Sequence, residues 1–392
     1  MKVGILTYHR VLNYGAFLQA VCLCRRLNAE KDISAEIIDY DMPSAQNAYK
    51  QLTEISVKKQ IKYLADLLLK KDYTVVLDLS EAFQRGYEKA EALLSEDSLI
   101  SDDIDAFSAF VKGKYDVIIS GSDEIWKIKP VRGFPNPYFL PGDLACRKFS
   151  YAVSARMDFD TLPKDQHAEL NGFLKDYEFI SVRDELTYNA VQKEGIPEEK
   201  MMRSCDPSFL YDFPENDITV QELLKGRCRL DPRKKILVLA DIHRKTAESL
   251  ISQVSGEYNV ISTVLKNPKC ISLSDLDPFE WRLLISKADM VVSSLYHGVC
   301  FSIANNTPFL AVAREDKKSK LQELLCNTEL EDRYIEEARV PTLDWKKTLA
   351  HAAETSDFRG FVQRQRKDFN SPLLFFCFLV FIPLLSINNK HK

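Results

Sequence analysis

The chain has 392 residues, 45% of them hydrophobic and 28% charged, and its 53 Lys plus Arg against 57 Asp plus Glu leave a formal charge of −4. The apolar content excludes a disordered chain, and the near-balance of charge excludes the global basic field of a nucleic-acid binder. Thirteen glycines are too few for glycine-rich repeats or low-complexity linkers, and the length fits two to three domains at roughly 150 residues each.

Val3 to Thr7 reads as a short buried strand, followed by the polar loop His9-Arg10-Val11-Leu12-Asn13-Tyr14-Gly15. Ala16 to Leu27 places Phe17, Ala20, Val21, Cys24 and Leu27 at helical spacing, and Glu36 to Tyr40 is a second strand. Strand, helix and strand within about 40 residues start a βαβ unit and imply a parallel sheet. Residues 50 to 112 carry a helical pattern rich in Lys, Glu and Leu. Asp116 to Ser120 is a buried strand ending in Gly121-Ser122-Asp123-Glu124. Lys148 to Val153 and Phe179 to Val182 are two more. The latter ends in Arg183-Asp184-Glu185, with a helix to about Lys193, and Cys205-Asp206-Pro207 marks another strand end.

Residues 211 to 234 break the alternation with Pro214, Asn216, Asp217, Gly226, Asp231 and Pro232, and they form the linker candidate. Lys235 to Leu239 resumes it, with a helix at 245 to 254 and a strand from Tyr258 to Thr263. Asp277-Pro278-Phe279-Glu280 predicts a helix start: an Asp cap, Pro at the first position, and Glu three residues after the cap. Asp289 to Ser293 is a strand whose carboxyl-end loop is Ser294-Leu295-Tyr296-His297-Gly298. A helix to Asn305, a strand from Phe309 to Val312 and a charged helix from Asp316 follow.

The expectation is an α/β chain of two Rossmann-like domains, 1–225 and 226–360, whose parallel sheets face a central cleft, with a basic and apolar tail over 361–392. In open parallel sheets, ligands bind beyond the carboxyl ends of the strands. That rule selects His9 to Gly15, Gly121 to Glu124, Arg183 to Glu185, Asp206-Pro207 and Ser293 to Gly298. In the tail, Leu373 to Ile387 is uncharged between Arg364, Arg366 and Lys367 before it and Lys390 and Lys392 after it. Fifteen residues fall short of the roughly 20 of a bilayer span. A peripheral contact with the inner face of the membrane, packing on the body, and a change of reading frame are the three readings open to it.

Nine cysteines, with no C-x-x-C pair, argue against a disulfide framework or structural zinc, and read as reduced thiols of a cytoplasmic protein. The opening residues show no signal peptide. No G-x-G-x-x-G, G-x-x-x-x-G-K-S/T, H-E-x-x-H or G-x-S-x-G is present, and the six histidines form no cluster at metal spacing, so neither a metal nor a cofactor is expected. His297 sits between a strand and a helix start, where an anion is favoured and an imidazole is a natural proton carrier. The alternative is a hydrogen-bonded structural histidine. Arg183 at a strand end suits bidentate capture of a phosphate or carboxylate, against a local ion pair with Asp184, Glu185 or another acid. Gly121-Ser122-Asp123 and Asn13-Tyr14-Gly15 offer amides and polar side chains, or are plain turns with helix caps. Cys22 and Cys24 read as helix packing, and Lys317, Lys318 and Lys320 as a solvated helix face.

Taken together, I-L-T-Y-H-R-V-L-N-Y-G-A-F-L-Q-A at 5–20, D-V-I-I-S-G-S-D-E-I-W at 116–126, I-S-V-R-D-E at 180–185, C-D-P-S-F-L at 205–210 and S-S-L-Y-H-G-V-C-F-S-I at 293–303 resemble the polysaccharide pyruvyl transferase family over roughly residues 1 to 340. The resemblance implies a fold like that of two-Rossmann-domain (GT-B) glycosyltransferases. It also implies transfer of a pyruvyl group from phosphoenolpyruvate to two hydroxyls of a saccharide, often lipid-linked, in cell-surface polysaccharide synthesis. His297 matches the family's motif histidine and would be the acid/base, and Arg183 would hold the donor. Asn13, Tyr14, Gly15, Gly121, Ser122, Asp123, Asp206, Ser294, Tyr296 and Gly298 would shape the substrate site. The chain departs from some members at Leu295, where they carry an Arg, and Arg244 and Arg314 are candidates to replace it. A nucleotide-sugar glycosyltransferase of the same plan, and a non-catalytic sugar-binding protein, are the rival readings.

Overall fold

A computed structural model of the chain describes residues 1–46, 75–128, 133–214, 217–313 and 318–369. The first half runs β1 (Lys2–Leu6), α1 (Tyr14–Asn28), β2 (Ser34–Asp41), β3 (Val75–Val76), α2 (Ser80–Lys89), β4 (Leu94–Ile100), α3 (Ile104–Val111), β5 (Val117–Ser120), β6 (Arg147–Val153), α4 (Lys164–Lys175), β7 (Phe179–Val182), α5 (Glu185–Lys193) and β8 (Met201–Arg203). The second runs β9 (Lys235–Ala240), α6 (Arg244–Val254), β10 (Tyr258–Thr263), β11 (Leu265–Lys266), β12 (Ile271–Leu273), α7 (Pro278–Lys287) and β13 (Met290–Ser293). It continues with α8 (Tyr296–Ala304), β14 (Phe309–Ala313), α9 (Lys318–Asn327), β15 (Tyr334–Glu336) and α10 (Trp345–Glu354), and a last helix, α11, covers 359–369.

Seven strands in the order β4-β2-β1-β5-β6-β7-β8 form the first sheet and six in the order β12-β10-β9-β13-β14-β15 the second. Every pair within them is parallel. Central strands such as Ile236–Ala240 and Met290–Ser293 are buried throughout, as helices on both faces of a parallel sheet require. The two α/β halves expected from the sequence are therefore present.

The stretch from 50 to 112 is not helical throughout. Residues 47–74 lie outside those described, and beyond them β4 is the edge strand of the first sheet, pairing Leu94 with Ile37 and Ser98 with Asp39. Glu96, Asp97, Ser98 and Ile100 face solvent. A polar edge strand has no continuous core face, so it lacks the alternation by which strands are read, and its charges suit an exposed edge.

Two seams join the halves. The first is apolar: α1 packs on α7 and α8. There the Tyr14 ring stacks on Trp281 at 4.7 Å and on Phe83 of α2 at 5.0 Å, and Phe17 meets Phe279 edge-on. The Asp277 capping box expected from the sequence sets the start of α7, and Lys89 of α2 pairs with the buried Asp277. Strand β3 adds an antiparallel pairing with β11. Helix α11 returns from the second half to the first: Phe369 packs edge-on against Tyr151, and Arg366 binds the Phe209 carbonyl and Asp212. The second seam is ionic and contains the site. Among the described residues no helix is long and apolar enough to cross a membrane, and the apolar run Leu373 to Ile387 lies outside them.

Candidate active site at the domain boundary

Strand β7 delivers Arg183 into the boundary. The residue after it, Asp184, turns away to cap α5, accepting from the Thr187 N–H at 2.9 Å. The Arg183 side chain is only 6% exposed. It donates to Asp206 Oδ2 at 2.8 Å and to Asp123 Oδ1 at 3.4 Å, and it lies over the Tyr296 ring at 4.7 Å. Its partners are thus acids from two other strand ends, after β8 and β5, and not the adjacent Asp184 or Glu185. Burial opposes its charge, but Tyr296, Asp206 and Asp123 outweigh burial and hold it well above the ordinary arginine range.

His297 enters from the other half, in the first turn of α8. Its Nε2 lies 3.3 Å from Asp206 Oδ2, yet it is a buried nitrogen that completes no hydrogen bond. The ring packs against α1 where Gly15 has no side chain: a Cβ there would come within 2.1 Å of His297 Cγ and Nδ1. Gly15 is therefore the space that the imidazole occupies. Arg183 and His297, from opposite halves, meet at one carboxylate oxygen. Asp206 fixes its other oxygen on Ser208, at 2.9 Å to the amide and 2.7 Å to the hydroxyl. Burial would raise the Asp206 pKa, but His297, Arg183 and Ser208 hold it well below the carboxylate range. The arrangement is a buried anion flanked by a guanidinium and an imidazole.

The other sequence-derived candidates divide. Asn13 is the cap of α1, accepting from Gly15 and Ala16, and Tyr14 belongs to the apolar seam, its hydroxyl donating to the Leu276 carbonyl. Gly121, at φ +126, lies so close to the Tyr151 carbonyl that a Cβ would sit 2.3 Å from it. Ser122 is buried and donates to the Ala152 carbonyl. Ser294 ties β13 to β9 by donating to Asp241. At Gly298, a Cβ would meet Ser293 Oγ at 2.3 Å. Asp123, Asp206 and Tyr296 touch Arg183, and these six build the frame around them. Arg244 pairs with Glu248 on its own helix, and Arg314 lies outside the described residues.

A cavity of about 270 Å³ opens beside Arg183, Asp206 and Tyr296, walled by Arg156, Arg203 and Lys320 among others. Lys320 is not on a solvated helix face: it reaches across the boundary to Glu124. Lys318, by contrast, pairs with Glu336 and is partly exposed. Arg156 and Arg203 were not singled out from sequence, although Arg156 follows the end of β6 by three residues and the strand-end rule applies to it equally. Glu323, which pairs with Arg156 at 2.7 Å, gives no sequence signal, being one acid on a charged helix. Among the described residues no cluster of His, Cys, Asp and Glu has the geometry to hold a metal.

The model of one family, described as polysaccharide pyruvyl transferase, matches residues 13–316. No curated protein matches the chain. Among solved structures, it is similar to UDP-GlcNAc 2-epimerase from Neisseria meningitidis at 11% identity, over 95% of this chain and 100% of that one, with a TM-score of 0.49. The same enzyme from Methanocaldococcus jannaschii gives 10%, 91%, 92% and 0.45. The glycotransferase of kitacinnamycin gives 10%, 94%, 95% and 0.46.

Proposed function

The chain belongs to the polysaccharide pyruvyl transferase family, and on that premise we propose that it moves the pyruvyl group of phosphoenolpyruvate onto two hydroxyls of a saccharide in cell-surface polysaccharide synthesis. The observation that carries the reading is the meeting of Arg183 and His297 from opposite halves on Asp206 Oδ2, beside a cavity walled by Arg156, Arg203 and Lys320. A small donor bearing a phosphate and a carboxylate needs several cations, and a guanidinium fork suits either group. The reaction also needs a proton carrier that works near neutrality, which an imidazole provides.

In this reading His297, protonated, gives its proton to the methylene carbon of the enol, which becomes a methyl group. The electron pair of the double bond forms the new C–H bond, and positive charge develops at C2. The first saccharide hydroxyl adds to C2 and its proton returns to His297. The C2–O bond to phosphate then breaks with its electron pair on the phosphate. The second hydroxyl closes the cyclic ketal at C2, and its proton leaves with the phosphate. Asp206 stabilises the imidazolium, while Arg183 holds an anionic group of the donor and positions it by stacking on Tyr296. The test is incubation of the full chain with phosphoenolpyruvate and a glycan pool, following phosphate release, alongside nucleotide sugars, following nucleotide release. Glycan-dependent phosphate release is expected. Nucleotide release without it would assign a glycosyltransferase instead.

A further inference from the structure

Helix α9 of the second half places the Glu323 carboxylate in a seat built by the first half. Both carboxylate oxygens are taken. Oε2 accepts from Arg156 at 2.7 Å, and Oε1 accepts from the backbone N–H of Glu185, the first residue of α5, at 2.7 Å. Arg203 approaches Oε1 at 3.6 Å. The seat is held firmly from behind: the amides of Ala155 and Arg156 both donate to Thr187 Oγ1, and Asp184 caps the same turn through the Thr187 amide and hydroxyl. Arg156 holds this position with a left-handed φ of +49, a backbone conformation that non-glycine residues rarely adopt. Two guanidiniums and a helix N-terminus make a site for more negative charge than one carboxylate carries. The acids that face it, Asp184 at 4.0 Å from Arg156 and Glu185 at 4.0 Å from Arg203, are already engaged in the cap or point to solvent. The seat opens into the cavity that also displays Arg183 and Asp206.

We infer that the seat formed by Arg156, Arg203 and the α5 N-terminus is a subsite for a phosphate dianion, and that Glu323 fills it in the empty protein as an internal competitor. That the phosphate belongs to the donor rests on the function proposed above; the existence of the seat does not. A dianion with three oxygens replaces a monoanion with two, and Glu323 swings out to solvent, where it is already 22% exposed. Because Glu323 occupies the seat before ligand arrives, the affinity seen from outside is lowered by the fraction of time the seat is free.

Inorganic phosphate titrated calorimetrically into the full chain at fixed salt is the probe. Glu323→Gln removes the competing charge and keeps the side chain's shape, so phosphate should bind about tenfold more tightly. Arg156→Gln and Arg203→Gln should each bind about tenfold more weakly. Glu257→Gln, which removes an acid paired with Lys346 on the surface, should change nothing and controls for net charge. Unchanged or weaker phosphate binding in Glu323→Gln overturns the inference, as does unchanged binding in both arginine variants. Turnover of phosphoenolpyruvate by the wild type is read separately. Its absence, with the phosphate affinities moving as stated, would sink the proposed reaction and leave the seat standing. Turnover with a Glu323→Gln affinity equal to wild type would sink the seat alone.

Discussion

The two seams between the halves are built from opposite chemistry. On one side Tyr14, Phe17, Phe83 and Trp281 stack and interlock within a single apolar cluster that runs from α1 into α7 and α8. On the other, Glu124 meets Lys320, Arg156 meets Glu323, and Arg183 and His297 meet at Asp206. Burial of aromatic area contributes stability whatever the charge state or salt. Ion pairs at a boundary contribute little net stability, because desolvation cancels most of the attraction, but charge and pH can switch them. The difference teaches that the apolar seam holds the halves together, while the ionic seam can exchange its own acids for an anionic ligand without unfolding the molecule.

The sharpest way to break this division is to remove one residue from each side. His297→Ala should lower turnover by roughly 10²–10⁴-fold while moving the urea midpoint less than a core truncation does, since Asp206 keeps Arg183 and Ser208 when the imidazole is removed. Near-normal turnover would remove His297 as the proton carrier. Trp281→Ala should do the reverse. The side chain is fully buried and stacked on Tyr14, so its loss should cost about 3–5 kcal/mol of stability, measured by urea unfolding. Per folded molecule, phosphate affinity should stay near wild type. A fall in affinity as large as the fall in stability would show that the two seams are not separable.

The sequence made the two seams legible to different degrees. The apolar strands, the βαβ order and the Asp277 capping box were readable because burial on both faces and helix starts leave local patterns. His297 and Arg183 were readable as strand-end residues. Asp206 was readable in the same way, but not as their common partner: it lies 23 residues from Arg183 and pairs with it only through the fold. Tyr14 looked like a site residue because it follows Asn13 in a polar loop, yet its ring faces Trp281. A loop position does not say which way an aromatic side chain turns. Edge strand β4 and the acid Glu323 were invisible for one reason, that exposed polar residues carry no periodic signal until a backbone or a guanidinium elsewhere in the chain meets them.

Asp206 sharpens the comparison through pH. Its carboxyl is held well below the ordinary range in the folded state, with burial opposing the shift and His297, Arg183 and Ser208 overcoming it. A depressed folded pKa contributes stability that is present above the unfolded value, near ~3.9, and lost as pH falls through the folded one. Asp206→Asn should therefore be less stable than wild type by about 1.5–3 kcal/mol at neutral pH, the range for hydrogen bonds to charged groups. That gap should begin to narrow below about pH 4 and close only as pH falls through the folded value. A gap of equal size at pH 7 and pH 3 in urea unfolding would mean that shape, and not charge, explains the residue.

Lys320 carries the smallest expected effect and tests the ionic seam at its rim. Glu124 is held down to about 2: burial would raise it, but Lys320 overcomes this first, with Lys127 and Arg183 adding smaller pulls. Lys320 keeps 29% of its side chain in solvent, so screening reduces what the pair contributes, and Lys320→Gln should cost less than about 1 kcal/mol at neutral pH and moderate salt. The sign follows from the depressed Glu124 value. The cost should be constant above about pH 5, shrink as pH falls from the unfolded value near ~4.3 toward 2, and shrink again at neutral pH when salt is raised. Trp281→Ala should show neither dependence. Urea midpoints of the two variants across pH and salt check both statements together. A Lys320→Gln cost that persists at pH 2 or in high salt would place the contribution in the packing of its aliphatic stem at the boundary, and the rim of the seam would then be apolar in its energetics despite the charges that mark it.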